Sequence, residues 1–442
     1  MSAYATLAAT RESLCVQIGP RRVEPYKDII TELNTQPTND DKIVDASLKA
    51  YMDVHVPMES LSELRKRETI LSSLKAIFTS WVQEVCIKKG KTEEFARSAG
   101  GLLYTSGSYR LAIHEPGSDI DTICVAPNIC DREDFFDSLA EKIKNHPEVT
   151  NFVSIASSFV PILTFYFSGV DIDLLFAKVN YNQIPPDFDI DCDDVMVGID
   201  TATEKSLNGP RTTNLIARLV NGTEERYQRF LTVVRCVRKW AKAKGLYSNK
   251  MGYLGGVNIN IMVAHVVQRL PDASTSRLLR MFFSIYKIWY LREKEDGSHI
   301  LKARPDPIML TGTYHSQLPG CDYQVWDPEK ALPTEMMPII TPAYPSMNST
   351  FSINKKTQEV MVKEILKADQ LLSKMDKSGS LKSKKNRDGH LWAELFTPSD
   401  FFISYAHYLA LVVVSPTADE LEGWHKFLEA KLRNLVVDTG KR

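Results

Sequence analysis

Two aspartates, two residues apart, are the most informative part of this sequence. Asp119 and Asp121 stand in TSGSYRLAIHEPGSDIDTICVAP, where the β-branched, apolar run IDTICVA predicts a buried strand. Residues i and i+2 of a strand project from the same face, so the two carboxylates should lie side by side. Oxygen ligands suit Mg²⁺, and two such ions roughly 3.5–4 Å apart commonly serve in-line attack on a phosphate. An aspartate-rich turn before a strand is the alternative, which Asp-x-Asp alone would favour.

Two further features favour the metal site. At Gly107-Ser108, the glycine lets backbone N–H groups approach a phosphate, and the serine hydroxyl can add a hydrogen bond. Downstream, PILTFYFSGVDIDLLFAKV predicts a second buried strand that carries Asp171 and Asp173. An aspartate that enters a strand beside the first pair would supply a third ligand. The combination resembles the pattern of nucleotidyltransferases of the polymerase-beta type.

A basic helix is predicted within residues 226–244. Its basic face holds Arg235, Arg238, Lys239 and Lys242, and its apolar face holds Phe230, Val233, Val234, Val237 and Trp240. A solvated basic surface is the alternative, and most such helices have no other role. We favour an anion site because Gly255-Gly256 begins a further helix whose N-terminal N–H groups suit a phosphate. The two features together predict a place for a triphosphate.

Composition limits the possible classes of protein. The chain has 442 residues, 43% hydrophobic residues and a formal net charge of −1, as expected of a globular protein with two or three domains. The near-neutral charge means that any nucleic-acid contact must come from local patches. No apolar run of 18 residues predicts a membrane span, and the N-terminus has no secretory signal. Seven scattered cysteines without a C-x-x-C pair indicate reduced thiols in cytoplasm or nucleus.

The remaining patterns divide the chain into a mixed α/β block and a helical region. Strands are predicted at 102–105, 120–126, 150–155, 159–168 and 170–179, and helices at 58–87, 132–144, across 200–295 and near 355–373. Residues 374–389 are poor in apolar side chains and predict a surface loop or, alternatively, a nuclear-import signal.

The C-terminal segment predicts a strand and a final helix. The stretch FFISYAHYLALVVVS has the composition of a strand. The helix after it begins with a capping box from Thr417 to Glu420. Its predicted buried residues are Leu421, Trp424, Leu428 and Leu435.

The longest motifs resemble the eukaryotic nuclear poly(A) polymerases. The resemblance rests on GSYRLAIHEPGSDIDT, FVPILTFYFSGVDIDLL, WAKAKGLYSNKMGYLGGV, VWDP and MPIITPAYPSMNST, in that order, and runs from about residue 20 to the end. It implies an α/β (α+β) multidomain protein with a polymerase-beta-like nucleotidyltransferase domain, a helical middle domain and a C-terminal RNA-recognition-like α+β domain. The implied bounds are 60–200 for the first, 1–59 with 201–354 for the second, and 355–442 for the third.

The resemblance also implies an activity and its residues. The activity is template-independent addition of AMP from ATP to the 3′-hydroxyl of RNA, by two-metal-ion catalysis with Mg²⁺, for which Mn²⁺ can substitute. Asp119, Asp121 and Asp173 match the family's metal-binding aspartates, whereas Asp171 matches a position that is not acidic throughout the family. The implied nucleotide-binding residues are Ser106, Gly107, Ser108, Asn208, Arg238, Tyr247, Gly256 and Val257.

Three departures from the family pattern concern the nucleotide and the RNA. Ser106 replaces a usual phenylalanine and removes an aromatic surface from the nucleotide pocket. Arg238 replaces a nucleotide-contacting lysine. It keeps the positive charge but carries it on a planar, delocalised guanidinium. Thr164 replaces a lysine before the third aspartate, which should weaken a contact with RNA phosphate. We therefore expect reduced selectivity for ATP, weak RNA binding and distributive synthesis.

The resemblance implies partners and a location as well. The partners are an RNA 3′ end, ATP and cleavage and polyadenylation factors, for a monomer that does not contact membranes. The expected location is the nucleus, with the cytoplasm as the alternative. Family members continue past the equivalent of Arg442, so we expect a minimal or truncated C-terminal domain without the regulatory tail. The rival functions are uridylyltransferase, CCA-adding enzyme and a catalytically silent RNA-binding subunit, which the retained aspartates and Gly-Ser pair disfavour.

Overall fold

The structure is a computed structural model. It contains a five-stranded sheet and a neighbouring group of helices. It describes residues 36–157, 160–302, 305–311, 318–321, 323–404, 406–418, 420–421, 423–425, 427–428 and 431–432.

The sheet is built from the five predicted strands. They are β1 (Leu102–Thr105), β2 (Ile120–Ala126), β3 (Val149–Ile155), β4 (Ile162–Phe167) and β5 (Val170–Lys178), in the spatial order β1-β2-β5-β4-β3. The β2 and β5 strands are parallel, and the other neighbours are antiparallel. Along β5, Val170, Ile172 and Leu174 are buried on the core face, so alternation directs Asp171 and Asp173 to the opposite face.

Helices precede and connect the first strands of the sheet. They are α1 (Asn39–His55), α2 (Leu61–Lys88), α3 (Glu93–Ser98), α4 (Gly107–Arg110), α5 (Arg132–Asp134) and α6 (Ala140–Lys144), with a π-helical turn at Phe135–Leu139. The Ser60 hydroxyl caps α2 by accepting from the Glu63 N–H. Within the described residues, α2 alone is long and apolar enough by length and composition to cross a membrane. Its buried residues Leu74, Phe78 and Trp81 belong to the core of the sheet.

The second group is helical and has its own core. It contains α7 (Thr201–Val220), α8 (Glu224–Ala243), α9 (Gly256–Arg269), α10 (Thr275–Tyr290) and α11 (Lys355–Ser378), with a small hairpin of β6 (Leu291–Glu293) and β7 (His299–Leu301). The predicted apolar face of α8 is confirmed, because all five of its residues are at most 1% exposed. Residues of α1 pack into this core rather than against the sheet.

The structure corrects the prediction of a surface loop at 374–389. The α11 helix continues to Ser378, and Leu381 and Asn386 after it are buried. The Asn386 side chain accepts a hydrogen bond from the Leu391 N–H at 3.0 Å. The buried side chains of Leu381 and Asn386 therefore hold residues 374–389 against the helices, although this segment contains few apolar residues.

The prediction of a strand over residues 401–415 is wrong for the residues that are described. A short helix, α12 (Phe401–Ser404), begins the segment, and 406–415 pair with no described strand. An isolated strand leaves its backbone groups without partners, so composition alone does not produce one.

The helix after this segment differs from its prediction in burial. Leu421 and Trp424, expected to be buried, are 40% and 54% exposed, since no described element covers them. Leu435 lies outside the described residues. The cap itself is present, because the Glu420 N–H donates to the Thr417 hydroxyl at 3.3 Å.

Candidate active site

The register of the sheet brings the three predicted aspartates together. Asp121 on β2 lies directly beside Asp173 on the parallel strand β5. One carboxylate oxygen from each of Asp119, Asp121 and Asp173 lies within 4.8 Å of the other two. Asp171 is directly opposite Tyr166 on β4 and lies outside this group of three. The convergence expected from the sequence is therefore confirmed.

The carboxylate group concentrates negative charge where water is partly excluded. Burial, reinforced by the Asp119 charge, raises the pKa of Asp121 to about 6. Three carboxylates whose oxygens converge form a donor set that fits a hard divalent cation such as Mg²⁺. Thr164 lies directly opposite Asp173 on β4 and so shares the site face of the sheet.

The Gly107 turn lies against the same carboxylates. Gly107 has φ +61°, and a β-carbon added there would lie 2.4 Å from Asp121 Oδ2, so this position requires glycine. The Ser106 N–H donates to the Asp121 carbonyl at 2.9 Å, and the Ser108 carbonyl accepts from the Ile113 N–H at 3.0 Å. These bonds fix the predicted phosphate-binding turn next to the end of β2.

Helix α7 supports this turn from the helical side. The Gly107 N–H donates to the Thr213 hydroxyl at 3.3 Å. A β-carbon added at Gly209 would lie 3.6 Å from Ser106 Oγ, so this helix face passes close to the turn. Sequence reasoning did not identify Thr213. Its i+4 spacing from Gly209, which places both on one helix face, is the only sequence signal.

The same helix also holds two loops by hydrogen bonds from its buried polar side chains. Asn208, a predicted nucleotide contact, is buried, donates to the Pro345 carbonyl at 3.5 Å and accepts from the Thr212 hydroxyl at 3.1 Å. The buried Arg211 guanidinium, which sequence reasoning also missed, donates to the Ile190 and Cys192 carbonyls at 2.7 and 2.6 Å. These contacts join the loop that leaves the sheet domain to the helical group.

Tyr247 is the centre of the helical side of the site. The Arg238 guanidinium and the Lys242 ammonium each lie 5.6 Å from the centroid of its ring. A β-carbon added at Gly256 would approach the Tyr247 hydroxyl to 3.1 Å. The α9 helix begins at Gly256 as predicted, and the next residue, Val257, is 38% exposed. The structure therefore places four predicted nucleotide-binding residues in one neighbourhood.

The basic face of α8 is divided between packing and this neighbourhood. Arg235 donates to the Val56 carbonyl. Lys239 donates to the His55 carbonyl at 3.4 Å and lies over the rings of Tyr51 and Phe396. These two cations join α8 to other elements of the helical group, whereas Arg238 and Lys242 flank Tyr247.

A mixed sheet whose parallel strands present three aspartates beside a Gly-Ser turn defines a polymerase-beta-like nucleotidyltransferase. Sequence models described as the poly(A) polymerase nucleotidyltransferase domain, central domain and predicted RNA binding domain match residues 33–220, 229–397 and 400–439. The chain belongs to the poly(A) polymerase family.

Individual relatives agree with this assignment. The chain is 36% identical over 379 residues to "Poly(A) polymerase" of Dictyostelium discoideum, an alignment that covers 86% of this chain and 43% of that protein. It is 33% identical over 404 residues to "Nuclear poly(A) polymerase 4" of Arabidopsis thaliana, with 91% and 50% covered. The chain thus spans about half the length of the curated relatives it matches.

A solved structure shares the fold at low sequence identity. Its description is "Structural Basis for the Activity of a Cytoplasmic RNA Terminal U-transferase". It is 13% identical with a TM-score of 0.50, and the match covers 81% of this chain and 99% of that one.

Proposed function

We propose that this chain is a template-independent polynucleotide adenylyltransferase that adds AMP from ATP to the 3′-hydroxyl of RNA. The observation that carries the proposal is the group of three carboxylates, with oxygens within 4.8 Å of one another, beside the Gly107 turn. Membership of the poly(A) polymerase family supports the choice of ATP and RNA as substrates.

The proposed cofactor is Mg²⁺, with Mn²⁺ as a substitute, held by Asp119, Asp121 and Asp173. Bound there, the cations would lower the pKa of the attacking hydroxyl and neutralise charge on the triphosphate. The protein contributes position: parallel pairing fixes Asp121 beside Asp173, and the hydrogen bond from Ser106 fixes the turn beside Asp121. Orientation of the reactants then supplies much of the rate.

The proposed nucleotide pocket lies between this turn and Tyr247. Its residues are Ser106, Gly107, Ser108, Asn208, Arg238, Tyr247, Gly256 and Val257. Since no template strand selects the base, the pocket walls and domain closure must do so. Ser106 offers a small polar side chain where the family has an aromatic ring, so ATP should be preferred by a smaller margin than is usual.

We also propose the division into domains and the cellular context. The catalytic domain is 60–200, the helical domain is 1–59 with 201–354, and the RNA-binding domain is 355–442. The relatives named as nuclear poly(A) polymerases support a nuclear location. We propose cleavage and polyadenylation factors as partners of a monomeric enzyme.

The test of this function is extension of a labelled oligo(A) primer with each nucleoside triphosphate separately. ATP with Mg²⁺ should give the longest products, and EDTA should stop the reaction. Equal incorporation of UTP and ATP would contradict the adenylyltransferase proposal and favour a relaxed terminal transferase. Absence of extension with every triphosphate would favour a silent RNA-binding subunit.

We further propose that synthesis is distributive, because three features of the chain favour weak binding of RNA phosphates. Its net charge is −1, Thr164 replaces a lysine, and Arg235 and Lys239 of α8 donate to backbone carbonyls. Under excess primer, all primers should lengthen together. Very long products beside unextended primer would contradict this proposal.

A further inference from the structure

An ion pair joins the loop before β2 to α8 on the helical side. The Lys242 ammonium on α8 donates to a carboxylate oxygen of Glu115 at 2.7 Å. Glu115 belongs to the loop that leads into Asp119 and β2. The side chains of Lys242 and Glu115 are 42% and 39% exposed, so a ligand from solvent can reach both.

The loop holds the Glu115 carboxylate in a defined place. The N–H and the hydroxyl of Ser118 both donate to the Glu115 carbonyl, at 3.1 and 2.8 Å, and Gly117 takes φ +77° to close the turn. On the other side, the His114 ring lies 2.9 Å from a buried Glu59 carboxylate oxygen. Glu115 is therefore presented from a turn that is fixed at both ends.

Lys242, the partner of Glu115, lies beside Tyr247, which is proposed to contact the nucleotide. Lys242 and Arg238 flank the Tyr247 ring at the same distance, 5.6 Å from its centroid. Arg238 also reaches the loop, since it donates to the Ile113 carbonyl at 3.4 Å. A triphosphate that enters between Tyr247 and the carboxylate group would meet Lys242 already paired with an acid.

We propose that Glu115 competes with the triphosphate of the nucleotide for Lys242, and so sets the affinity for ATP. This inference rests on the proposed function, because it takes ATP as the ligand. A nucleotide that binds must draw Lys242 away from Glu115 and tolerate the Glu115 charge nearby. Without nucleotide, the same pair keeps the loop before Asp119 attached to α8.

The test is the neutral, isosteric variant Glu115→Gln, with ATP binding measured by calorimetry and with KM and kcat from primer extension. An exposed ion pair shifts an equilibrium by up to about fivefold. Kd and KM for ATP should therefore fall by roughly two- to fivefold at about 0.05 M salt, with kcat within about twofold of wild type. The difference should shrink at about 0.3 M salt, where exposed charges are screened.

A matched control separates this effect from the general loss of a surface charge. Glu84→Gln removes the partner of Lys142 from an exposed pair of 2.5 Å within the sheet domain. It should leave Kd for ATP unchanged. If Glu115→Gln does not fold, Glu115→Asp, which withdraws the carboxylate by one methylene, should lower Kd in the same direction.

An unchanged or raised Kd in the folded Glu115 variant would overturn the inference. A raised Kd would mean that the pair holds a conformation that binds ATP rather than one that opposes it. The proposed function fails separately: a wild-type chain that binds ATP but extends no RNA refutes the activity, and the Kd comparison still decides the role of Glu115.

Discussion

The sheet side and the helical side of the candidate site use their charged residues differently. On the sheet side, oxygens of Asp119, Asp121 and Asp173 lie within 4.8 Å of one another, and burial with Asp119 raises the pKa of Asp121 to about 6. On the helical side, Arg235 and Lys239 donate to backbone carbonyls of neighbouring segments. The acids concentrate charge at one point, whereas half of the basic face holds the helical group together.

This difference shows which sequence patterns indicate function. Three nearby carboxylates repel one another, so their convergence adds no stability to the fold unless a cation joins them. A basic helix face has an alternative use, because long cationic side chains satisfy carbonyls and cover aromatic rings. An acidic cluster is therefore the stronger indication of a site.

The largest expected effect comes from a substitution on the sheet side of the site. Asp173→Ala removes one oxygen ligand and should reduce primer extension by at least about 1000-fold, because cation binding contributes several kcal/mol to the transition state. Asp171→Ala is the matched control on the same strand, and it should keep activity within about tenfold. Measured kcat for the two purified variants decides between them. An inactive Asp171→Ala with an active Asp173→Ala would reverse the assignment of these residues.

Much of the sheet side could be predicted from the sequence. The alternation of the β2 and β5 strands fixes which side chains share a face, and a shift of one residue would bury the aspartates. This constraint explains why the predicted strands and the convergence of Asp119, Asp121 and Asp173 are confirmed. Asp171 has the same parity as Asp173, so alternation could not separate the two, and the resemblance to the family made that choice.

The helical side was less predictable for a physical reason. Helical spacing placed Arg235, Arg238, Lys239 and Lys242 on one face, but it did not say what lies opposite each residue. The partners, such as the carbonyl of Val56 and the carboxylate of Glu115, are distant in sequence. The contacts of Thr213 and Arg211 were missed for the same reason.

A second prediction concerns the Gly107 turn on the sheet side of the site. Gly107→Ala places a β-carbon 2.4 Å from Asp121 Oδ2 and a side chain at φ +61°. The backbone conformation alone costs roughly 1–2 kcal/mol, and the clash displaces Asp121, so kcat should fall about 100-fold while the melting temperature falls by a few degrees. Activity assays and thermal unfolding check this.

Gly90→Ala is the matched control, since it has φ +79° and no atoms within 4 Å of the added carbon. Equal losses of activity in the two variants would contradict the account.

A third prediction concerns pH and the core of the helical side. Burial, with Arg269 nearby, holds the pKa of His265 well below 6.5, so His265 is neutral in the folded chain. The unfolded chain takes up its proton near pH 6.5, so this contribution to stability is complete above that pH and is lost as the pH falls. The free energy of unfolding should decrease by up to about 1.4 kcal/mol per pH unit below 6.5 from this group.

The variant His265→Gln isolates that contribution from those of other titrating groups. Urea unfolding from about pH 5.5 to 7.5, in EDTA, should give a weaker pH dependence for the variant than for the wild type. Identical pH dependence in the two proteins would show that His265 does not titrate as described.

The smallest expected effect separates the two halves of the basic face. Lys239→Gln removes a contact with the His55 carbonyl and with two rings, so it should cost about 1 kcal/mol of stability and leave KM for ATP within about twofold. Arg238→Gln removes a charge beside Tyr247 and should raise KM about tenfold. Steady-state kinetics with ATP compares them. A larger KM effect from Lys239 than from Arg238 would mean that the packing half of the face contacts the substrate.

The most direct test of the central claim is anomalous diffraction from crystals soaked with Mn²⁺ and a non-hydrolysable ATP analogue. The account predicts Mn²⁺ among the oxygens of Asp119, Asp121 and Asp173, with the triphosphate reaching toward the Gly107 turn. Mn²⁺ bound at Asp171, or a triphosphate bound with no metal at the three aspartates, would contradict it.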